Sequence, residues 1–430
     1  MSAAIAIAVF VGAYILIASE KVNRVTAALA GAGILLAARI VHIDDIFFSS
    51  RTGVAWDVIF LLFGMMVIVG ILKRTGIFEY VAIWAAKRAG GKPFRVMTLL
   101  VLITAFASMW LDNVTTVILL VPVTILVCER LRVPAIPYLI AEALASNIGG
   151  TATLVGDPPN IIVASVSGLP FNSFLINLGP IVLVLLAVFV VMCRVMFRHA
   201  FQYDPDRAAE VMALNEREAI QDPVLLKRGL AVLGAVIVAF VSHTWLHVEP
   251  TAVALLGAGL LILVSRVPAR EYLDEVEWDS LAFFAGLFIM VGALVKTGVI
   301  GGIAGYLVDA TEGRLLLASM VLTGGSAILS GIVDNIPYVT AAAPIVQQLV
   351  QNVPGGQGTV LWWSLLLGAD LGGNLTAIGA SANVVTIGVA ARNGYKISFW
   401  EFTKYGIITV AVTVPLAMVY IYLRYFLLGI

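Results

Sequence analysis

The chain has 430 residues, 61% hydrophobic and 12% charged, with 26 Lys plus Arg balancing 26 Asp plus Glu and a mean hydropathy of +1.02. This apolar content exceeds that of a soluble domain and fits a polytopic membrane protein. No basic block is present to track a phosphate backbone, which argues against nucleic-acid binding, and two cysteines, Cys128 and Cys193, cannot make a disulfide scaffold or a four-thiolate metal site.

Set against the roughly 20 residues of a spanning helix, apolar runs fall at 3–18, 25–41, 55–72, 96–127, 135–163, 174–197, 229–247, 250–265, 279–295, 315–350, 360–390 and 405–428. The first begins at Ala3 with no positive segment or small-residue cleavage site, so it reads as a retained span. Runs 96–127 and 315–350 are too long for one crossing and break at Asp112-Asn113 and Asp334-Asn335. They read as re-entrant hairpins. An ionisable group in hydrocarbon is costly and persists where it faces a polar cavity. The polar stretch 198–228 reads as a cytoplasmic linker.

Polar and glycine positions recur 222 residues apart: Trp56-Asp57 with Trp278-Asp279, Gly64 with Gly286, Thr75-Gly76 with Thr297-Gly298, Asp112-Asn113 with Asp334-Asn335. After one inserted residue the spacing is 223, with Gly149-Gly150 matching Gly372-Gly373, Thr153 matching Thr376 and Asn160 matching Asn383. Each half then holds five spans and one hairpin. An odd number of crossings orients the halves oppositely, as in inverted-repeat transporters. The expected fold is all-α and polytopic. Residues 1–197 form one repeat with a cytoplasm-facing hairpin 96–127 and a broken helix 135–163. Residues 229–430 form the other, with an outside-facing hairpin 315–350 and a broken helix 360–390. With both termini outside, only Arg39, Arg51, Lys296, Arg314 and Arg424 of the 26 basic residues lie outside, as the positive-inside rule asks; Lys21 and Arg24 are among those inside.

The broken helices carry the second polar constellation, Ser146–Asn160 and Asp370–Asn383. Interrupted backbone at membrane depth is tolerated only where protein or water satisfies it, so these helix ends are expected to face a cavity. Candidate ion- and substrate-binding residues are Asp112, Asn113, Thr115, Thr116, Asn147, Thr151, Thr153, Asp157, Asn160, Asp334, Asn335, Asp370, Asn374, Thr376, Ser381 and Asn383. Proton coupling is assigned to Asp112, Asp334, Asp370 and Glu142, the last reading equally as a structural hydrogen-bond partner. Asn147 and Asp370 are equivalent, an amide facing an acid. No Lys or Arg falls near this presumed site. Asp57 and Asp279 read as interfacial caps beside their tryptophans. No Ser-His-Asp, Cys-His or phosphate-loop pattern occurs and the four histidines lack metal-ligand company, so no enzyme, cofactor or metal is expected.

The segments Asp112–Thr116, Gly156–Asn160, Asp334–Pro337 and Gly379–Asn383 resemble the ArsB/NhaD permease family of the ion transporter superfamily, especially its branch related to the melanosomal P protein. The resemblance spans nearly the whole chain. It implies a scaffold and a moving transport part in each half, with hairpin tips and broken helices enclosing the site, and elevator-like alternating access in a bacterial plasma membrane. It also allows a homodimer and a soluble ATPase partner. Related dicarboxylate carriers bind sodium at Ser-Asn-Thr tips; Asp112 and Asp334 replace that serine here, which favours protons as the coupling ion. The expected function is proton-coupled arsenite or antimonite efflux, a neutral trihydroxide suiting a lining without basic residues. The alternative is a sodium/proton antiporter. A channel, an enzyme and a non-transporting membrane protein are disfavoured.

Overall fold

A computed structural model describes residues 2–18, 22–49, 52–311 and 313–429; Lys21 and Arg51 of the charge argument lie outside the described residues. The described residues are helical throughout, without strands. The first half runs α1 (Ser2–Ala18), α2 (Arg24–Ala37), a short α3 (Ile43–Phe48), α4 (Trp56–Lys73), α5 (Ile77–Arg88), α6 (Pro93–Ser108), α7 (Asn113–Leu131), α8 (Ala135–Gly150), α9 (Pro158–Ser167) and α10 (Phe171–Met196). A connecting segment holds α11 (Pro205–Met212) between two 3-10 turns. The second half runs α12 (Pro223–Leu246), α13 (Pro250–Ser265), a short α14 (Ala269–Leu273), α15 (Trp278–Lys296), α16 (Val299–Ala310), α17 (Leu315–Val333), α18 (Asn335–Asn352), α19 (Val360–Gly372), α20 (Ser381–Arg392) and α21 (Phe399–Ile421). Seven helices among the described residues are long and apolar enough to cross a membrane.

The long apolar runs resolve into helix pairs. Run 96–127 is α6 turning into α7, and 315–350 is α17 turning into α18; 135–163 divides into α8 and α9, and 360–390 into α19 and α20. Helices α5 and α16 fall outside every apolar run. Glu79, Lys87 and Arg88 break the apolar pattern of α5, and three glycines thin that of α16. Asp57 and Asp279 stand in the first turns of α4 and α15, where a carboxylate complements the helix dipole.

Equivalent helices pack across the halves. Helix α4 lies along α13 and α15 along α2. A Cβ on Gly64 would come within 2.9 Å of the Ala254 backbone, and one on Gly286 within 2.9 Å of Ala28. In the other layer α9 lies on α18, and α20 lies on α7 and α8. The outer surface is apolar: Leu183, Val195, Leu256 and Leu263 are all at least 66% exposed, as expected of residues that face lipid rather than water. The interior holds the polar side chains instead, with Asn147, Thr151, Asp157, Asn160, Asp370, Asn374 and Asn383 fully buried.

The connecting segment is anchored rather than loose. Lys87 Nζ donates to Glu216 Oε2 at 2.5 Å and to Leu214 O at 2.8 Å, and Gln221 N donates to Thr75 O at 3.0 Å. It is therefore tied to α5 and the turn before it in the first half.

Candidate functional site

Four helix N-termini converge at the centre: α7, α9, α18 and α20. Their capping positions are Asp112, Asp157, Asp334 and Ala380. The residues just after each acid decide where its carboxylate points. Beyond Asp112 come Val114 and Thr115, whose N–H groups donate to it at 3.3 and 3.0 Å, and the Thr115 hydroxyl adds a bond of 2.7 Å. That carboxylate is occupied in capping its own helix. After Asp334 comes Ile336, donating at 3.1 Å, but Pro337 has no N–H to offer. One oxygen is thus released toward Ser381, whose hydroxyl donates to Asp334 Oδ2 at 3.3 Å. After Asp157 come Pro158 and Pro159, and the capping bond is missing altogether. Its carboxylate turns inward.

There both hairpin tips meet it. Asn113 Nδ2 donates to Asp157 Oδ2 at 2.9 Å, and Asn335 Nδ2 donates to Oδ1 and Oδ2 at 3.3 and 3.5 Å. Asn113 also donates to Asn147 Oδ1 at 3.1 Å, and Asn147 Nδ2 passes on to Asn374 Oδ1 at 2.9 Å and Asn383 Oδ1 at 3.0 Å. Asn147 is therefore the junction of the two halves. Asn160 holds its own loop through Gly150, Thr151 and Thr153 carbonyls, the closest at 2.7 Å; Asn383 does the same through Gly373 at 2.8 Å and Thr376 at 3.0 Å. Thr153 and Thr376 tie these loops to their hairpins, donating to Met109 O and, at 2.6 Å, to Gly331 O.

Asp370 stands apart. It lies in the last turn of α19, with its charge facing Asp157. Neither of its oxygens has a hydrogen-bond partner among the described residues. The neighbouring Thr151 hydroxyl is committed to Asn147 O at 2.9 Å. A carboxylate at a helix C-terminus opposes the dipole, and a buried one without donors calls for a proton, a cation or water. Asn113 Oδ1, Asn160 Oδ1 and Thr116 Oγ1 are also buried and unpartnered. No cluster of three His, Cys, Asp or Glu side chains forms a metal site among the described residues.

Glu142 does not join this cluster. It accepts from Thr124 Oγ1 at 2.6 Å, with its other oxygen buried and unpartnered.

The expectation that no basic residue approaches the site is corrected by Arg24. At the first turn of α2, its Nη1 donates to Ser381 Oγ at 2.7 Å and stands 4.0 Å from Asp334 Oδ2, while Nη2 reaches Ser280 Oγ at 3.4 Å. From α1, Tyr14 donates to Pro337 O at 2.5 Å. The partners lie more than 250 positions away in sequence, so spacing gave no hint. The available signal was asymmetry. Ala28 and Ala254 face equivalent glycines, which makes Pro250 the counterpart of Arg24.

On the Asp112 side a cavity of about 530 Å³ is lined by Asp57, Leu154, Ile161, His243, His247 and Glu249. Ile161 also borders a gap of about 10 Å³ between Met65, Met66, Leu111 and Asp112, room for a single water.

Comparison with known proteins places this geometry in a family. The model of the CitMHS citrate transporter family matches residues 14–368. An uncharacterized transporter of Mycobacterium bovis is 55% identical over 426 residues, covering 99% of each chain, and a 46 kDa membrane protein of Mycobacterium leprae is 53% identical with the same coverage. Human P protein is 32% identical over 507 residues, covering 99% of this chain and 60% of its own. Among solved structures, the YdaH transporter of Alcanivorax borkumensis aligns over 96% of this chain and 98% of its own with a TM-score of 0.59 at 14% identity, which shows a shared fold. Seven helices fit to cross a membrane, a buried acid–amide core and these relatives together make the chain a multi-pass membrane transporter belonging to the CitMHS citrate transporter family.

Proposed function

We propose that the protein is a proton-coupled secondary transporter in which Asp112, Asp157, Asp334 and Asp370 hold the coupling ions. The two halves are oppositely oriented repeats, and the tips with the broken helices move as one body past the scaffold of α1, α2, α4, α12, α13 and α15. The observation that carries this reading is Asp370, a fully buried carboxylate without a hydrogen-bond partner among the described residues, electrostatically coupled to Asp157, which both tips share. Such a pair gains and releases positive charge without rebuilding the fold.

The transported solute is a small neutral trihydroxide such as arsenite, moved outward across the plasma membrane. Amide and hydroxyl side chains outnumber the acids among the buried residues of the centre. A citrate trianion, suggested by the family description, would meet four buried acids and the single guanidinium of Arg24. A sodium/proton antiporter is the second reading, favoured by the four donorless oxygens of Asp370, Asn113 and Asn160, which suit a hard cation. Purified protein in proteoliposomes with an imposed pH gradient tests both: arsenite flux independent of sodium supports the first, and sodium-driven proton release without arsenite flux supports the second.

A further inference from the structure

The second hairpin tip is held by a chain of polar contacts that the first lacks. Glu277, at the start of α15, accepts from Ser280 Oγ at 3.0 Å, and Ser280 receives Arg24 Nη2. Arg24 Nη1 bonds Ser381 at the start of α20, and Ser381 bonds Asp334 at the tip. The guanidinium lies over the Phe283 ring, 5.4 Å from its centroid, which fixes its plane. At 4.0 Å its pairing with Asp334 is electrostatic, not a hydrogen bond, and the two side chains are 33% and 12% exposed. Asp112, the equivalent acid, borders a gap walled by Leu62, Met65 and Met66 instead, and among the described residues it makes no salt bridge.

We propose that Arg24 is the docking cation of the second tip: it positions Asp334 and Ser381 against the α2–α15 wall, and a proton or monovalent cation arriving at Asp334 competes with it for that carboxylate. This rests on the ion-coupled reading of the site. A fixed positive charge stabilises the empty tip in its docked position. A mobile positive charge on Asp334 makes Arg24 redundant, so ion binding and release of the tip are one event. Among the described residues, the other ionisable groups acting on this pair are Tyr14 from α1, Glu277 from α15 and Asp157 from the start of α9. Only Arg24 among them is a cation. Tyr14 donates to the Pro337 carbonyl, a contact that does not depend on the charge of Asp334 and that breaks when the tip leaves.

Hydrogen exchange of the full chain in lipid nanodiscs tests this without a transport assay. Peptides covering 330–337 and 379–384 report the second tip, and those covering 108–116 the first. In the unaltered protein, with each rate referenced to the intrinsic amide exchange rate at the same pH, acidification, or added sodium chloride at fixed pH compared with choline chloride, is expected to lower protection at the second tip only. The acid arm identifies the proton as competitor, and the sodium arm a metal cation. Arg24→Gln is expected to exchange roughly tenfold faster there at neutral pH, the scale of one lost charge-assisted contact, and to lose the pH and sodium response. Arg24→Lys is expected to restore the response in part, and Asp334→Asn to behave like Arg24→Gln. A tip that stays protected and ion-responsive in Arg24→Gln overturns the proposal. So does an unaltered protein whose second tip ignores both pH and sodium. Should the exchange results hold while proteoliposomes show no ion-coupled flux, the docking role stands and the coupled-transport reading falls.

Discussion

Asn335 lies 178 positions beyond Asp157 in sequence, yet its side-chain amide donates to both carboxylate oxygens, at 3.3 and 3.5 Å. Asn113 completes the arrangement from the first half at 2.9 Å. One acid in one half is thus the shared acceptor of both tips, while its repeat counterpart is Ala380.

Asp157→Ala leaves the buried Asn335 amide without its acceptor and Asn113 with Asn147 Oδ1 alone, an unsatisfied buried donor costing about 1–3 kcal/mol. A lower unfolding midpoint in detergent is expected, together with loss of pH-gradient-driven flux. Asp157→Asn retains the shape and one acceptor oxygen, so a smaller thermal loss is expected with the same loss of flux. A fully active Asp157→Asn would remove this acid from the coupling mechanism.

Asp112 and Asp334 adopt φ of 104° and 100°, a region that side chains rarely occupy. Such strain costs on the order of 1–3 kcal/mol and clusters at working sites, while each carboxylate contributes about 0.5–2 kcal/mol as a cap. In Asp112→Gly and Asp334→Gly the two effects oppose, so near-normal thermal stability is expected with coupled transport abolished. Asp112→Asn and Asp334→Asn are expected to insert and fold but lose coupling. The check is thermal denaturation alongside proteoliposome flux of the same preparations.

Asp370→Asn and Asn147→Ala separate charge from scaffolding. The first removes a titratable group that accepts no hydrogen bond among the described residues, so ion dependence of transport should change with little effect on stability. The second breaks the junction between Asn113, Asn374 and Asn383 and should cost about 2 kcal/mol or more in stability, with the ion dependence of the residual transport retained. Reversed effects would show that charge and scaffolding have been assigned to the wrong partners.

For the solute, cells making the protein are expected to gain arsenite resistance independent of external sodium. Cys128→Ser and Cys193→Ser should both retain it, since both thiols are buried in the last turns of α7 and α10. Resistance lost with either serine would reveal thiolate chemistry in the transport path.

Outside the membrane, Lys87 holds the Glu216 carboxyl below its ordinary value. A depressed acid stabilises the folded state above its unfolded value, and that contribution disappears as pH falls through the folded one. Glu216→Gln is therefore expected to speed hydrogen exchange in residues 205–221 at neutral pH and to match the unaltered protein once the pH falls below the depressed value.

The spacing of 222 was readable because the helices have no freedom to drift: Gly64 and Gly286 each meet an alanine backbone, and Asn160 and Asn383 each close the same loop. The candidate site was legible for the same reason, as broken helices and mid-span acids are costly unless used. What stayed hidden were departures from the repeat. Pro337 and Pro158-Pro159 redirect two carboxylates by withholding an N–H, and Arg24 crosses from a scaffold helix to the tip. Glu142 read equally as a proton relay and as a structural hydrogen-bond partner, because depth alone does not say which neighbour a side chain will meet; Thr124 donates to it.

The shared acceptor has one more consequence. If the second tip withdraws, Asn335 loses Asp157, and Asp157 loses a donor while Asp370 beside it already has none. Those groups cannot stay bare, so something polar must arrive as the tip departs. On the proposed mechanism, opening and wetting of the centre would therefore be a single step, with no dry open state between them.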